Sequence, residues 1–211
     1  MNSPILYSFR RCPYAIRARL ALASSQVEVE LREILLRDKA AAFLKVSPSQ
    51  TVPTLVLSDT VIDESYDIMH WALTQYDPEH WLDEPDTGRE LVTYADGPFK
   101  QALDRTKYAS RYPDQSMSDN RDKASAFLYR LDEQLAQNGY LFGSKTRLSD
   151  MAILPFVRQF AFIDKAWFDA QPWPHLKTWL EGFLASELFL SVMEKYPKWQ
   201  EGDGKTLFPA A

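Results

Sequence analysis

The chain has 211 residues, 45% apolar and 25% charged, with a formal net charge of −5, so it can bury a sizeable core but presents no overall field suited to a nucleic-acid backbone or an anionic membrane. One cysteine excludes an intrachain disulfide, and three scattered histidines have no metal-ligand spacing. No apolar run approaches the roughly 20 residues that cross a bilayer, and the opening MNSPILYSFRR lacks a secretory-signal pattern. A reducing, cytoplasmic setting is the expectation.

The elements follow in chain order. ILYSF (5–9) is an apolar-aromatic run ending in basic residues and reads as a strand. From Pro13 the pattern turns helical, with Ile16, Leu20 and Ala23 on one face. VEVELREI (27–34) alternates as a half-exposed strand, and KAAAFLKV (39–46) reads as a short helix stopped before Pro48. TLVL (54–57) and TVID (60–63) flank Ser58-Asp59 as a hairpin, and residues 65–76 form a helix capped by Ser65. DPEHWLDEPDTG (77–88) is polar, with two prolines and a glycine, and is read as a linker. Beyond it no strand is expected. Helices are predicted at about 88–111, 118–137, 149–163, 174–186 and 187–195. The expected organisation is a mixed α/β domain at 1–76, a linker at 77–88 and an all-helical domain at 89–211.

Glycine-rich phosphate loops and the nucleophile elbow of serine hydrolases are absent from the sequence, which leaves Cys12 as the chemical lead. It stands at a predicted helix start, where unpaired N–H groups and the helix dipole favour an anion. Arg10 and Arg11 precede it, and Arg17 follows within reach. These features favour the thiolate, the reactive form. A lone cysteine is more often a small buried hydrophobe, so placement between strand, basic turn and helix carries the functional reading. Arg17 and Arg19 leave the helix on different sides, so at most one serves the site. A dithiol redox motif would have a second cysteine at position 15; this sequence has Ala15. Any disulfide partner of Cys12 comes from outside, and a small thiol such as glutathione fits exchange through a mixed disulfide.

RRCPYAIRARLAL (11–23), SQTVPTLVL (49–57) and DESYDIMHW (63–71), in this order and spacing, resemble the cytosolic glutathione transferases. The Cys-Pro-aromatic start resembles their omega-like, cysteine-type class and its bacterial relatives. The resemblance covers nearly the whole chain and implies a thioredoxin-like α/β N-terminal domain followed by an all-α C-terminal domain. It implies a catalytic Cys12, glutathione as co-substrate, no metal, and a homodimer.

For glutathione the resemblance implies further residues. Pro53 either opens a strand or follows a cis bond; the family carries it cis. Val52 would then pair its backbone with the tripeptide as an added strand. Ser65 and nearby amides would take the γ-glutamyl carboxylate, and Glu64 its amino group. Lys39 would meet the glycyl carboxylate and Tyr14 would pack beside the ligand, although a solvated lysine and a core aromatic account for those two equally well. Phe99, Tyr108, Phe156 and Trp167 are candidate walls for a second-substrate pocket. The family pattern departs at Arg147-Leu148-Ser149-Asp150, where arginine replaces the usual hydroxyl residue at a helix start. Arginine cannot accept the capping bond, so Thr146 or Ser149 is expected to cap. Pro155 is expected to kink that helix or mark its early turns.

The functional expectation is a glutathione-dependent thiol transferase or reductase. It forms a mixed disulfide at Cys12, acts on glutathionylated thiols or dehydroascorbate, and conjugates electrophiles weakly. The alternative is a non-catalytic transferase-like interaction protein, such as one that binds RNA polymerase.

Overall fold

A computed structural model describes residues 3–209. Two compact units emerge: residues up to Leu82 together with those from Ser186 onward, and Asp83–Ala185.

The first unit is built on a five-stranded sheet. Its strands are β1 (Ile5–Ser8), β2 (Val29–Glu33), β3 (Thr54–Val56), β4 (Val61–Ile62) and β5 (Leu207–Phe208), in spatial order β4-β3-β1-β2-β5. β1 and β2 are parallel; the other pairs are antiparallel. A parallel pair needs a long crossover, and α1 (Pro13–Ser24) provides it. Helices α2 (Ala41–Val46) and α3 (Ser65–Gln75) complete the order expected from the sequence. The register decides where function can sit. Tyr7 pairs with Thr54 and Leu55 with Ile62, so the end of β1, the start of β3 and the end of β4 lie at one edge of the sheet. The three connections carrying Cys12, Val52-Pro53 and Glu64 leave from that edge.

α1 is buried on nearly every side, including Arg17 and Arg19. It packs against α3 and against α10 (Glu187–Val192). Tyr7, Ile34, Phe43 and Val52 form a core cluster with Trp199. The Arg32 guanidinium lies 4.3 Å from the Trp199 ring centroid and 5.3 Å from that of Tyr7.

Several boundaries differ from the sequence expectation. Residues 186–209 join the first unit rather than the helical one, because α10 packs on α1 and β5 pairs with β2. β5 itself contradicts the expectation of no later strand; two residues are too few to show a periodicity. The expected linker holds Trp81, fully buried, with the Asp77 carboxylate accepting from the Trp81 and Leu82 amides at 2.9 Å each. A polar composition therefore hides a folded corner.

The second unit contains α4 (Asp86–Tyr94), α5 (Lys100–Lys107), α6 (Met117–Asn138), α7 (Leu148–Ala161), α8 (Lys165–Asp169) and α9 (Pro174–Ala185). The run predicted at 88–111 is interrupted by a π-helical turn over Ala95–Phe99. Pro98 has no N–H to donate, and a wider turn accommodates it. α8 went unpredicted because it is five residues long. Gly139 ends α6 with φ 84°. Phe99 and Phe127 rings stand 5.1 Å apart, and Phe99 and Phe156 are buried in this core. Those two candidate pocket walls are thus spent on packing, whereas Tyr108 and Trp167 remain half-exposed.

The start of α7 corrects the capping expectation. Neither Thr146 nor Ser149 caps it; Arg147 occupies the N-cap position. The Arg147 amide donates to Asp150 Oδ2 at 2.9 Å, and the Ser149 amide donates to Glu84 Oε2 at 2.9 Å. Glu84 precedes α4, so a carboxylate from another element supplies the acceptor that arginine cannot. α7 then runs through Pro155 to Ala161 as one helix.

Gly88 leaves room for this arrangement. A Cβ there would stand 2.7 Å from Glu84 Cδ, so Gly88→Ala should displace the carboxylate and cost about 1 kcal/mol. In a Glu84→Ala background the same change should be neutral or stabilising, since alanine outranks glycine in helices. Equal losses in both backgrounds, read from denaturant midpoints, would refute the cap.

Candidate active site at one edge of the sheet

Cys12 is the N-cap residue of α1, with extended backbone, followed by Pro13 in the first turn. Its thiol is half-buried and Sγ stands 3.6 Å from the Val52 carbonyl oxygen, which accepts from it. The Val52–Pro53 peptide is cis, as the resemblance implied. Val52 precedes β3, and both Val52 and Pro53 are buried. The loop before it is tied down locally. Ser47 and Thr54 hydroxyls pair at 2.9 Å, Thr54 Oγ1 donates to the Thr51 carbonyl at 2.9 Å, and the Ser49 amide donates to Asp63 Oδ2 at 3.0 Å. This last bond links the Val52 loop to the approach to α3.

Glu64, exposed, is the N-cap of α3; Ser65, buried, opens the helix. The sequence reading gave Ser65 the capping role, so the boundary shifts by one residue. Ser65 Oγ instead accepts from Arg17 Nε at 2.9 Å. The Arg17 guanidinium also lies 5.2 Å from the Tyr14 ring centroid. Arg17 was expected to aid the thiol; the structure places it beneath the start of α3, next to Tyr14. Arg19 leaves the other side of α1, as expected, and bonds Ser8 Oγ at 2.8 Å. Two arginines inside an apolar helical run (AIRARLAL) were the available signal that each needs a buried partner.

Lys39 Nζ donates to the Gln50 carbonyl at 2.9 Å, which brings a cation to the loop leading into Val52. Arg10 donates its amide to Glu33 Oε1 at 2.7 Å and its guanidinium to the Met193 carbonyl at 3.3 Å. Arg11 lies over the Phe9 ring, 5.4 Å from its centroid. The edge thus gathers a sulfur beside a backbone carbonyl, a helix start backed by a buried arginine, an exposed carboxylate and a lysine. Such a set can hold a zwitterionic peptide with its thiol near Cys12.

Comparison with known proteins gives a consistent result. The family model "Glutathione S-transferase, N-terminal domain" matches residues 6–80, and "Glutathione S-transferase, C-terminal domain" matches residues 92–182. The chain is 26% identical over 172 residues to Glutathione S-transferase U28 of Arabidopsis thaliana, covering 76% of this chain and 74% of that protein. It is 29% identical over 164 residues to Protein IN2-1 homolog B of rice, covering 74% of this chain and 64% of that protein. A glutathione transferase family member from Pseudomonas fluorescens, crystallised with two glutathione molecules, shares the fold at a TM-score of 0.78 and 18% identity, over 92% of this chain and 93% of that one.

Proposed function

Because the chain belongs to the glutathione S-transferase family, we propose that it is a glutathione-dependent thiol transferase of omega-like type whose single cysteine, Cys12, forms a mixed disulfide with glutathione. The observation that carries this reading is the position of Cys12 Sγ, 3.6 Å from the Val52 carbonyl at the N-terminus of α1. A tripeptide laid along Val52 as an extra strand would offer its own N–H to that carbonyl. The thiol would lose its acceptor as the ligand's sulfur arrived, which couples binding to release of the nucleophile.

At the other end of the ligand, Ser65 Oγ already accepts from Arg17 and keeps its hydroxyl proton to donate to the γ-glutamyl carboxylate. The α3 amides and the Arg17 charge add to this anion site. Glu64 takes the amino group, Lys39 the glycyl carboxylate, and Tyr14 flanks the peptide. Pro53 holds the turn that presents Val52.

The reaction balances as two exchanges. Cys12 thiolate attacks the glutathione sulfur of a substrate mixed disulfide. A Cys12–S–S–glutathione bond forms, and the substrate leaves as a thiolate that takes up a proton. A second glutathione thiolate then attacks that glutathionyl sulfur, releasing glutathione disulfide and regenerating Cys12. Dehydroascorbate would draw its two electrons from the same pair of glutathiones. Conjugation to a chloroarene should be weak, because Cys12 traps the glutathione sulfur rather than activating it. The expected homodimer is checked by sedimentation.

Mixing with glutathione disulfide tests the reading directly. A mass gain of about 305 Da, glutathione less the two hydrogens lost when the disulfide forms, should appear on the intact protein, and Cys12 is the sole cysteine that can carry it. An unmodified mass together with no retention on immobilised glutathione would overturn it. Ser65→Ala should raise the KM for glutathione about tenfold through loss of one charge-directed hydrogen bond. Alkylation of Cys12 by iodoacetamide should proceed at the wild-type rate in that variant. An unchanged KM would remove Ser65 from the binding set.

A further inference from the structure

The loop that carries Cys12 is fastened to a part of the chain about 180 residues away in sequence, and nothing in the proposed chemistry uses that fastening. The Glu33 carboxylate, at the end of β2, sits at its centre. Its Oε1 accepts the Arg10 amide at 2.7 Å, two residues before Cys12, and its Oε2 accepts from Arg19 Nη2. Arg19 is fully buried on α1, and Glu33 is its counter-charge. The remaining guanidinium nitrogens reach Ser8 Oγ at 2.8 Å and the Val192 carbonyl at 3.2 Å. Arg10 Nη1 reaches the next carbonyl, that of Met193, at 3.3 Å.

Val192 ends α10 and Met193 is its C-cap. Helix ends leave carbonyls without intrahelical partners, and cations are favoured there. Two arginines from the Cys12 side of the unit meet consecutive carbonyls of that kind. Farther along, the Trp199 amide donates to the Glu33 carbonyl at 2.9 Å, so the same β2 residue holds the returning tail through its backbone. The loop itself is short: the Cys12 amide donates to the Phe9 carbonyl at 2.9 Å, and the Ile34 amide to the Ser8 carbonyl at 2.7 Å. A shift at Arg10 would therefore pass directly to Cys12.

We infer that Arg10, Glu33 and Arg19 latch the Phe9–Cys12 loop to the end of α10, making Arg10 and Glu33 positioning residues that fix the Cys12 sulfur beside Val52, where the ligand's sulfur arrives. This rests on the proposed reaction at Cys12. The latch adds to the packing of α10 on α1 and the pairing of β5 with β2 in holding residues 186–209 to the first unit. It assigns the arginine before Arg11-Cys12 a geometric task in place of a purely electrostatic one.

The test uses the full-length chain with Arg10→Ala, and Arg10→Lys as the conservative variant. Arg10 is only partly buried, so both should fold; if Arg10→Ala does not, Arg10→Met, which keeps the aliphatic stem, carries the same readouts. Displacing a reacting atom by a fraction of an ångström is expected to lower the turnover number for glutathione transfer about tenfold. The KM for glutathione and the pH midpoint of iodoacetamide alkylation should stay at the wild-type value. Amide exchange across Phe9–Cys12 should rise about tenfold in Arg10→Ala, and Arg10→Lys should recover part of both losses. A moved alkylation midpoint with an unchanged limiting rate would show that Arg10 acts only by its charge and would overturn the latch. So would wild-type turnover, or a fall in melting temperature with wild-type loop exchange. If the wild-type protein transfers no glutathione, the proposed function fails by itself. The loop-exchange measurement then decides the latch alone: a rise upholds it, and no rise overturns it.

Discussion

Cys12→Ser should abolish thiol transfer, lowering the rate by about a thousandfold or more, while glutathione affinity stays within about threefold of wild type. The serine hydroxyl remains protonated at neutral pH and cannot form a disulfide, so both exchange steps lose their intermediate. Binding should persist because the groups proposed to hold the peptide lie elsewhere: the Val52 backbone, Ser65 over Arg17, Glu64 and Lys39. The smaller, shorter side chain also leaves the Val52 carbonyl open to the ligand's amide. Steady-state reduction of a glutathionylated peptide, paired with calorimetric titration of glutathione, gives both numbers. Wild-type turnover in the variant would disprove the nucleophile assignment. Loss of turnover and binding together would instead mean that the cysteine holds the site's shape.

Asp150→Ala should produce the largest loss of stability. Asp150 is buried, and its carboxylate accepts from the Leu141 amide at 3.1 Å, the Trp179 indole at 2.9 Å and the Arg147 amide at 2.9 Å. Alanine would strand two buried donors, the Leu141 amide and the Trp179 indole, and free the part-buried Arg147 amide, at a cost of about 3–5 kcal/mol. Denaturant unfolding checks the magnitude. The pH dependence has a definite sign. Burial pushes the Asp150 pKa from 3.8 up to about 6, against the three N–H groups that favour the anion; Glu84 is raised in the same sense, also by burial. Between those two values the folded state binds more protons than the unfolded chain, so the contribution of this group to stability falls as pH rises through the window. Acidifying from pH 7 to pH 5 should stabilise wild type relative to Asp150→Asn by about 1 kcal/mol. A capping carboxylate with a depressed pKa would give the opposite trend, and that outcome would show the donors outweighing desolvation.

Much of the first unit was legible because its signals are local. Alternation marked β2, the apolar run marked β1, and Pro13 with the Ile16–Leu20–Ala23 face marked α1. The helix start at Cys12 was legible from Pro13 and the apolar face that follows, whereas the cis bond before Pro53 was legible only through the resemblance. Features that depend on a distant partner were not. The Arg17–Ser65 bond joins two helices, the Ser149 amide finds Glu84 some 65 residues away, and Arg10 finds Met193. Local propensity carries no record of such pairs. Trp81 was concealed by polar neighbours, and β5 by its length of two residues. The resemblance favoured the cis bond before Pro53, left a ligand contact and a solvated side chain equally open for Lys39, and was silent about the arginines.

The discontinuous first unit has a consequence for biogenesis. Residues 83–185 form a contiguous unit that is wholly synthesised while the sheet still lacks its edge strand. During that interval the open flank of β2 carries unpaired amides and carbonyls, a template for other extended chains. The helical insert is therefore complete before the segment that closes the sheet, and the Cys12 loop gains its contacts with the end of α10 last. Stalled or clipped chains lacking the final two dozen residues would lose the Val192 and Met193 carbonyls that bond Arg19 and Arg10 beside Cys12, while presenting a sticky seam to a crowded cell.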